Sequence, residues 1–192
     1  KAIHANNSGL FENEIVPIST VDDSYSVKSN EYIKNTNLVS KDEGPREDTS
    51  IEVLAKLRTV FAQDGSVTAG NSSQMSDAAA AVLVASEEAV EKYNLTPKAE
   101  FMGFSVAGVP AEIMGIGPVK AVPKVLSSLG LGLDEIGWIE LNEAFAAQSL
   151  AVIKELKLDP EKVNPLGGAI ALGHPLGATG AIRVATLVSA MQ

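Results

Sequence analysis

Two short segments hold the side chains best suited to chemistry. The first is Asn142-Glu143-Ala144-Phe145-Ala146-Ala147-Gln148, where a short apolar stretch gives way to a helix-forming one. Loops at the ends of strands present polar groups into clefts. Asn142 has two readings there: it caps the helix, or its carboxamide holds a water or carbonyl oxygen as part of an oxyanion site. The second segment runs from Gly167 to Gly180 and carries five glycines in fourteen residues around His174-Pro175. Glycine lets the backbone fold tightly and proline stiffens the turn straight after the histidine, so the imidazole is held firmly. His174 is either a satisfied core or capping residue, or a group that accepts and donates a proton near neutral pH.

Other chemistries are poorly supplied. The glycine-rich turn lacks the Gly-Lys-Ser/Thr ending of a P-loop, and its spacing does not follow a clear strand as a dinucleotide fingerprint requires. The 192 residues contain no cysteine, which excludes disulfides, thiolate metal sites and a nucleophilic thiol within them. His4 and His174 are the only histidines, and no carboxylates stand at ligand spacing, so no metal site is expected. A net charge of −9 argues against nucleic acid, which requires a field of Lys and Arg. It leaves open a small anionic ligand held by a few cations and helix starts. No stretch approaches the roughly 18 apolar residues of a membrane span.

The elements that must position these groups alternate in type. Asp22 to Arg46 is polar and punctuated by turn formers, which predicts a long excursion or small satellite domain. Thr49 to Phe61 reads as a helix capped by Thr49 or Ser50, with Ile51, Leu54, Ala55 and Leu57 in one stripe. Asp64 to Ser73 is rich in small residues and can approach a ligand closely. Ala78 to Val84 is a nearly unbroken apolar run that predicts burial as a helix or strand. Beyond Thr96-Pro97 the pattern restarts: a strand over Glu100–Ala107, a helix over Pro118–Leu129 stopped by Gly130, a short strand over Trp138–Leu141, a helix over Ala144–Leu156, an extended piece at Val163–Pro165, and a helix over Ala181–Met191. The order predicts an α/β layered fold. The sequence starts in mid-pattern and no strand follows the last helix, so the chain is expected to continue at both ends.

Asn142-Glu143-Ala144-Phe145-Ala146 and Gly167-Gly168-Ala169-Ile170-Ala171-Leu172-Gly173-His174-Pro175-Leu176-Gly177 closely resemble two signature blocks of the thiolase family, in the family's order and approximate separation. The resemblance extends through Thr68–Asp77 and Gly108–Pro118, and back to Asp42–Arg46. Gln74 and Asn164-Pro165-Leu166-Gly167-Gly168 look more like degradative 3-ketoacyl-CoA thiolases than biosynthetic acetoacetyl-CoA thiolases.

The resemblance implies a thiolase-like layered α/β fold of two similar halves with a loop domain inserted in the first. On that template residues 1–73 are part of the loop domain, 74–96 close the N-terminal half, and 97–192 form most of the C-terminal half without its last strands. It implies a cysteine nucleophile that takes the acyl group from one thioester and passes it to CoA. His174 would deprotonate that cysteine and help bind the thioester oxygen, and Asn142 would position a water in the same oxyanion site. Ser73 matches a serine near the CoA pantetheine arm, while Met114 and Phe145 match pocket-lining residues; Ser73 could also satisfy a turn, and Met114 and Phe145 could be core. The family's two cysteines would fall before this chain and beyond Gln192, so residues 1–192 alone are expected to be inactive. CoA would be a substrate with no permanently bound cofactor, and the assembly a homodimer or homotetramer. The compartment is left open: cytoplasmic in a bacterium, peroxisomal or mitochondrial in a eukaryote. The alternatives are a biosynthetic thiolase and a non-catalytic CoA-binding or assembly module.

Overall fold

Glycines and capping residues set most of the boundaries in the computed structural model, which describes residues 1–192. The helices are α1 (Ala2–Asn7), α2 (Ile51–Leu54), α3 (Glu87–Tyr93), α4 (Gly117–Leu129), α5 (Ala146–Leu156), α6 (Ala169–Leu172) and α7 (Thr179–Ala190), and the strands are β1 (Ile18–Ser26) and β2 (Glu31–Val39). Pro118 lies in the first turn of α4, and Gly130 ends that helix in the left-handed region at φ +68°. α5 and α7 fall within about two residues of their expected bounds.

The core gathers around α5. Val152 is 1% exposed and packs with Leu141, Leu158 and Val163, flanked by Val119 of α4 and by Ile139 and Leu156. Ile139 and Val163 form a parallel bridge, so the chain leaves 138–141, crosses through α5 and returns alongside itself. This is a short strand–helix–strand unit, the building block of an α/β fold. The expected strand over Trp138–Leu141 and the extended piece at Val163–Pro165 are thus paired, but through an isolated bridge.

Several expectations are corrected. The polar stretch after Asp22 is mostly a hairpin: β1 and β2 pair antiparallel from Ile18↔Val39 to Ser26↔Glu31, and Asn30 takes a positive φ in the turn. β2 is exposed along its whole length and β1 nearly so, and a ribbon without a buried face has no reason to alternate apolar with polar residues. The helix expected over Thr49–Phe61 is confined to α2, capped by the Ser50 hydroxyl accepting from Val53 N–H. It stops because Thr59 pairs with Thr68 and Val60 N–H donates to the Val67 carbonyl, drawing the following residues into an extended loop. Ala78–Val84 is neither helix nor strand, and Leu83 and Val84 are 80% and 82% exposed. Glu100–Ala107 likewise forms no ladder, with Phe101 and Phe104 exposed. Alternation and β-propensity only make a strand where a neighbour offers hydrogen bonds.

These bare stretches leave the chain with 13982 Å² of accessible surface, against about 8,700 Å² expected for a folded chain of 20.0 kDa. Backbone N–H groups without partners are solvated and exchange with water without any opening step. Amide hydrogen exchange should therefore be near-unprotected across 78–85 and 100–107 and slowest at Ile139, Leu141 and Asn164. Equal protection in the two sets would contradict this fold.

α1 and the turn after it reach α7, where Glu14 accepts a hydrogen bond from the Thr186 hydroxyl at 3.2 Å. Burial pushes the Glu14 carboxyl above its ordinary value; the Thr186 hydrogen bond and Arg183 oppose the shift, and the Glu140 charge adds to it. A carboxyl whose folded pKa is raised holds its proton more tightly when folded, so stability is greatest below the ordinary carboxylate range and falls as pH rises through the folded value. Glu14→Gln keeps the acceptor and removes the charge. Its thermal midpoint should exceed that of the parent chain at about pH 7 and match it near about pH 4; a lower midpoint at the higher pH would refute the assignment.

Candidate functional site

The two chemistry-bearing segments meet because an asparagine side chain joins them. Asn164, 2% exposed and at φ +45°, follows the bridge residue Val163. Its Oδ1 accepts from Leu141 N–H and its Nδ2 donates to the Leu141 carbonyl, both at 2.8 Å. A side-chain amide thus continues the pairing that the backbone abandons one residue after the bridge. The same Nδ2 donates to Glu143 Oε1 at 3.0 Å, while Glu143 Oε2 accepts from Ile170 N–H at 3.2 Å, just inside α6. A Cβ at Gly168 would overlap that carboxylate, which is why the glycine pair sits at this point of the turn.

A buried ion pair closes the other side. Arg183 Nη1 donates to Glu140 Oε2 at 2.9 Å, with the two side chains only 9% and 4% exposed. Trp138 Nε1 donates to the second Glu140 oxygen at 2.8 Å, and Arg183 also reaches the Gly167 carbonyl at 3.4 Å. α7 is thereby fixed against the 138–141 segment and the start of the glycine-rich turn.

These supports bring His174 and Asn142 together, with His174 Nε2 3.3 Å from Asn142 Nδ2. On the far side of the ring, Nδ1 lies 2.7 Å from Thr179 Oγ1. His174 N–H donates to the Gln74 carbonyl at 3.1 Å, and Gly173, at φ +92°, has no room for a side chain beside Ser76. Asn142 does not cap α5, whose N-cap is Phe145, and its Oδ1 is buried without a partner. A buried carbonyl oxygen beside an imidazole is suited to holding a water or a ligand donor. The pair can transfer a proton at Nε2 and hydrogen-bond an oxygen at the same place.

Ser73 and Phe145 lie on the neighbouring segment. Ser73 N–H donates to the Ala144 carbonyl at 3.0 Å, Ser72 bridges Phe145, and the Phe145 ring meets Phe61 edge-to-face at 6.0 Å. Met114 stands apart from this network: it is 77% exposed in the 3-10 turn Ala111–Ile116, which packs on α5. Gln74 joins three segments, its side chain donating to the Gly44 and Ala171 carbonyls at 3.2 and 3.4 Å. No three His, Cys, Asp or Glu side chains gather as a metal site.

Sequence reasoning passed over Glu143, Asn164 and Thr179 as supports of the site. Glu143 and Thr179 stand inside the two chemical blocks, and Asn164 before proline is the kind of residue that tolerates positive φ; these were the available signals.

Residues 95–192 match the family model described as the thiolase C-terminal domain, and residues 1–88 match the thiolase N-terminal domain. This chain belongs to the thiolase family. It is 47% identical over 192 residues to human peroxisomal 3-ketoacyl-CoA thiolase, covering 100% of this chain and 44% of that one. It is 48% identical to the 3-ketoacyl-CoA thiolase of Bacillus subtilis, covering 96% and 47%. Among solved structures it superposes on Bacillus anthracis acetyl-CoA acetyltransferase with a TM-score of 0.90 at 44% identity, covering 99% of this chain and 46% of that one. On the dimeric peroxisomal thiolase of Saccharomyces cerevisiae the TM-score is 0.86 at 44% identity, covering 100% and 46%. On human mitochondrial 3-ketoacyl-CoA thiolase in complex with CoA it is 0.82 at 42% identity, covering 99% and 44%. The α/β fold is therefore that of the thiolases, and the chain spans less than half the length of these relatives.

The Asn164 clamp gives a stability test. Asn164→Ala strands the Leu141 N–H and C=O and puts an alanine at positive φ, so unfolding in urea should lose about 2–4 kcal/mol. A loss below about 1 kcal/mol would show that the clamp does not hold the segments together.

Proposed function

We propose that this chain is the histidine- and asparagine-bearing portion of an acyltransferase that cleaves 3-ketoacyl-CoA with CoA, giving acetyl-CoA and a shortened acyl-CoA. The observation that carries this reading is the 3.3 Å approach of His174 Nε2 to Asn142 Nδ2, which joins the two blocks that resemble thiolase signatures. In the proposed reaction His174 takes the proton of a cysteine thiol and, once protonated, helps hold the thioester oxygen. Asn142 positions a water at the same oxygen, for which its unpartnered Oδ1 is an available acceptor. Ser73 lies along the CoA arm, and Phe145 and Met114 line the acyl pocket; the exposure of Met114 suits a pocket wall better than core.

The acyl-accepting cysteine is not in this chain, so the reading requires a second source of that thiol and predicts that residues 1–192 alone do not turn over. The identities to 3-ketoacyl-CoA thiolases support the substrate class, and the likeness to a CoA complex and to a dimeric thiolase supports CoA and a homo-oligomer. We read residues 1–73 as part of a loop domain, 74–96 as the end of one core half and 97–192 as most of the other. Peroxisomal and bacterial relatives leave the compartment open, and no helix is long and apolar enough to cross a membrane.

Joined to the cysteine-bearing segments of a thiolase, the chain should support thiolysis, and His174→Ala should lower the rate by about 10²–10⁴-fold. Undiminished thiolysis would overturn the role. The likeness to an acetyl-CoA acetyltransferase favours a second reading, synthesis of acetoacetyl-CoA; turnover confined to that substrate, with none of longer 3-ketoacyl-CoAs, would select it.

A further inference from the structure

The His174 ring is held on its far side by a side chain from the end of the glycine-rich segment. Thr179, the first residue of α7, is 7% exposed, and its hydroxyl oxygen lies 2.7 Å from Nδ1. The same hydroxyl donates to the Pro175 carbonyl at 3.1 Å. A threonine hydroxyl has one proton, so a hydroxyl committed to Pro175 can only accept from the ring. We infer that Thr179 is a positioning residue that keeps His174 protonated at Nδ1 and leaves the lone pair on Nε2, facing Asn142.

The competing network reverses every proton. Thr179 would donate to Nδ1, Nε2–H would donate to Asn142, and the Asn142 amide would be turned over. That arrangement places the Asn142 NH₂ where a buried atom has no partner. As oriented, the orphan is a carbonyl oxygen, and buried proteins tolerate an under-satisfied acceptor better than unpaired N–H donors. The Nδ1–H to Oγ bond also survives when Nε2 takes up a proton, because the imidazolium donates from both nitrogens. In the reversed network the hydroxyl would have to rotate first. Thr179 thus leaves Nε2 ready to accept a proton and keeps its own hydrogen bond when that happens; the group that must yield is the Asn142 amide, whose N–H faces Nε2 at 3.3 Å. The catalytic value of this arrangement rests on the acyl-transfer reading above; the tautomer itself does not.

The test reads the ring directly. In a His4→Gln background only one histidine remains, and 15N-labelled chain is measured at a pH where the ring is neutral. The expected spectrum has Nδ1 at the protonated position and Nε2 at the unprotonated one. Thr179→Val keeps the shape and removes the acceptor, so the two nitrogen shifts should converge or exchange, while Thr179→Ser should retain the parent pattern. A parent ring protonated at Nε2, or a folded Thr179→Val chain with unchanged shifts, overturns the inference. The parent spectrum and Thr179→Ser decide it even where Thr179→Val does not fold. An Nδ1-protonated ring together with undiminished thiolysis by His174→Ala would sink the acyl-transfer reading and leave the tautomer lock standing.

Discussion

The structure depends on one amide. Backbone pairing between the 138–141 segment and the segment after α5 amounts to a single parallel bridge, Ile139 with Val163. The Asn164 carboxamide then does what a further ladder residue would have done, giving Leu141 both a donor and an acceptor. A full strand would have carried the chain straight on. The asparagine instead lets the backbone turn at positive φ into the glycine-rich segment while the pairing continues through the side chain. Asn142 and His174 approach each other because the clamp holds the residue before Asn142 and the turn that leads to His174.

Polar groups dominate the support around that clamp. Glu143 is held between Asn164 and the start of α6, and Glu140 between Trp138 and Arg183. Burying charges is costly unless each is paired and hydrogen-bonded, and with Arg183 Nε left buried without a partner the Arg183–Glu140 pair adds little net stability while it holds α7 against the 138–141 segment. That trade suits a site whose reacting atoms must keep a fixed separation. It also explains why the glycines of the turn are not interchangeable: Gly168 makes room for the Glu143 carboxylate, and Gly173 for Ser76 beside the histidine.

Away from this nucleus the chain is open. The hairpin is solvated on nearly all its residues, and the apolar stretches 78–84 and 100–107 lie exposed without ladder partners. The well-buried part is α5 with the segments it crosses between, and the candidate site rests on that part.

Local chemistry in the sequence determined what the chain decides over short range. The αL stop at Gly130, the proline in the first turn of α4, the Ser50 cap and the apolar faces of α4, α5 and α7 were legible because each depends on neighbours within a few residues. The two chemical blocks were legible for the same reason, as fixed strings around Asn142 and His174. Longer pairings were not: Ala78–Val84, whose apolar run reads as a helix or buried strand, and Glu100–Ala107, which reads as a strand, lack neighbours to pair with, whereas the polar hairpin has neighbours and little apolar alternation to announce it. Nor could the sequence say that Asn164, ten residues before the histidine, would hold Leu141, that Arg183 would find Glu140, or that Thr179 would meet Nδ1. Those contacts join residues brought together only by the turn of the chain around α5 and into α7, and hydrogen-bond partnership at such separations is decided by tertiary geometry.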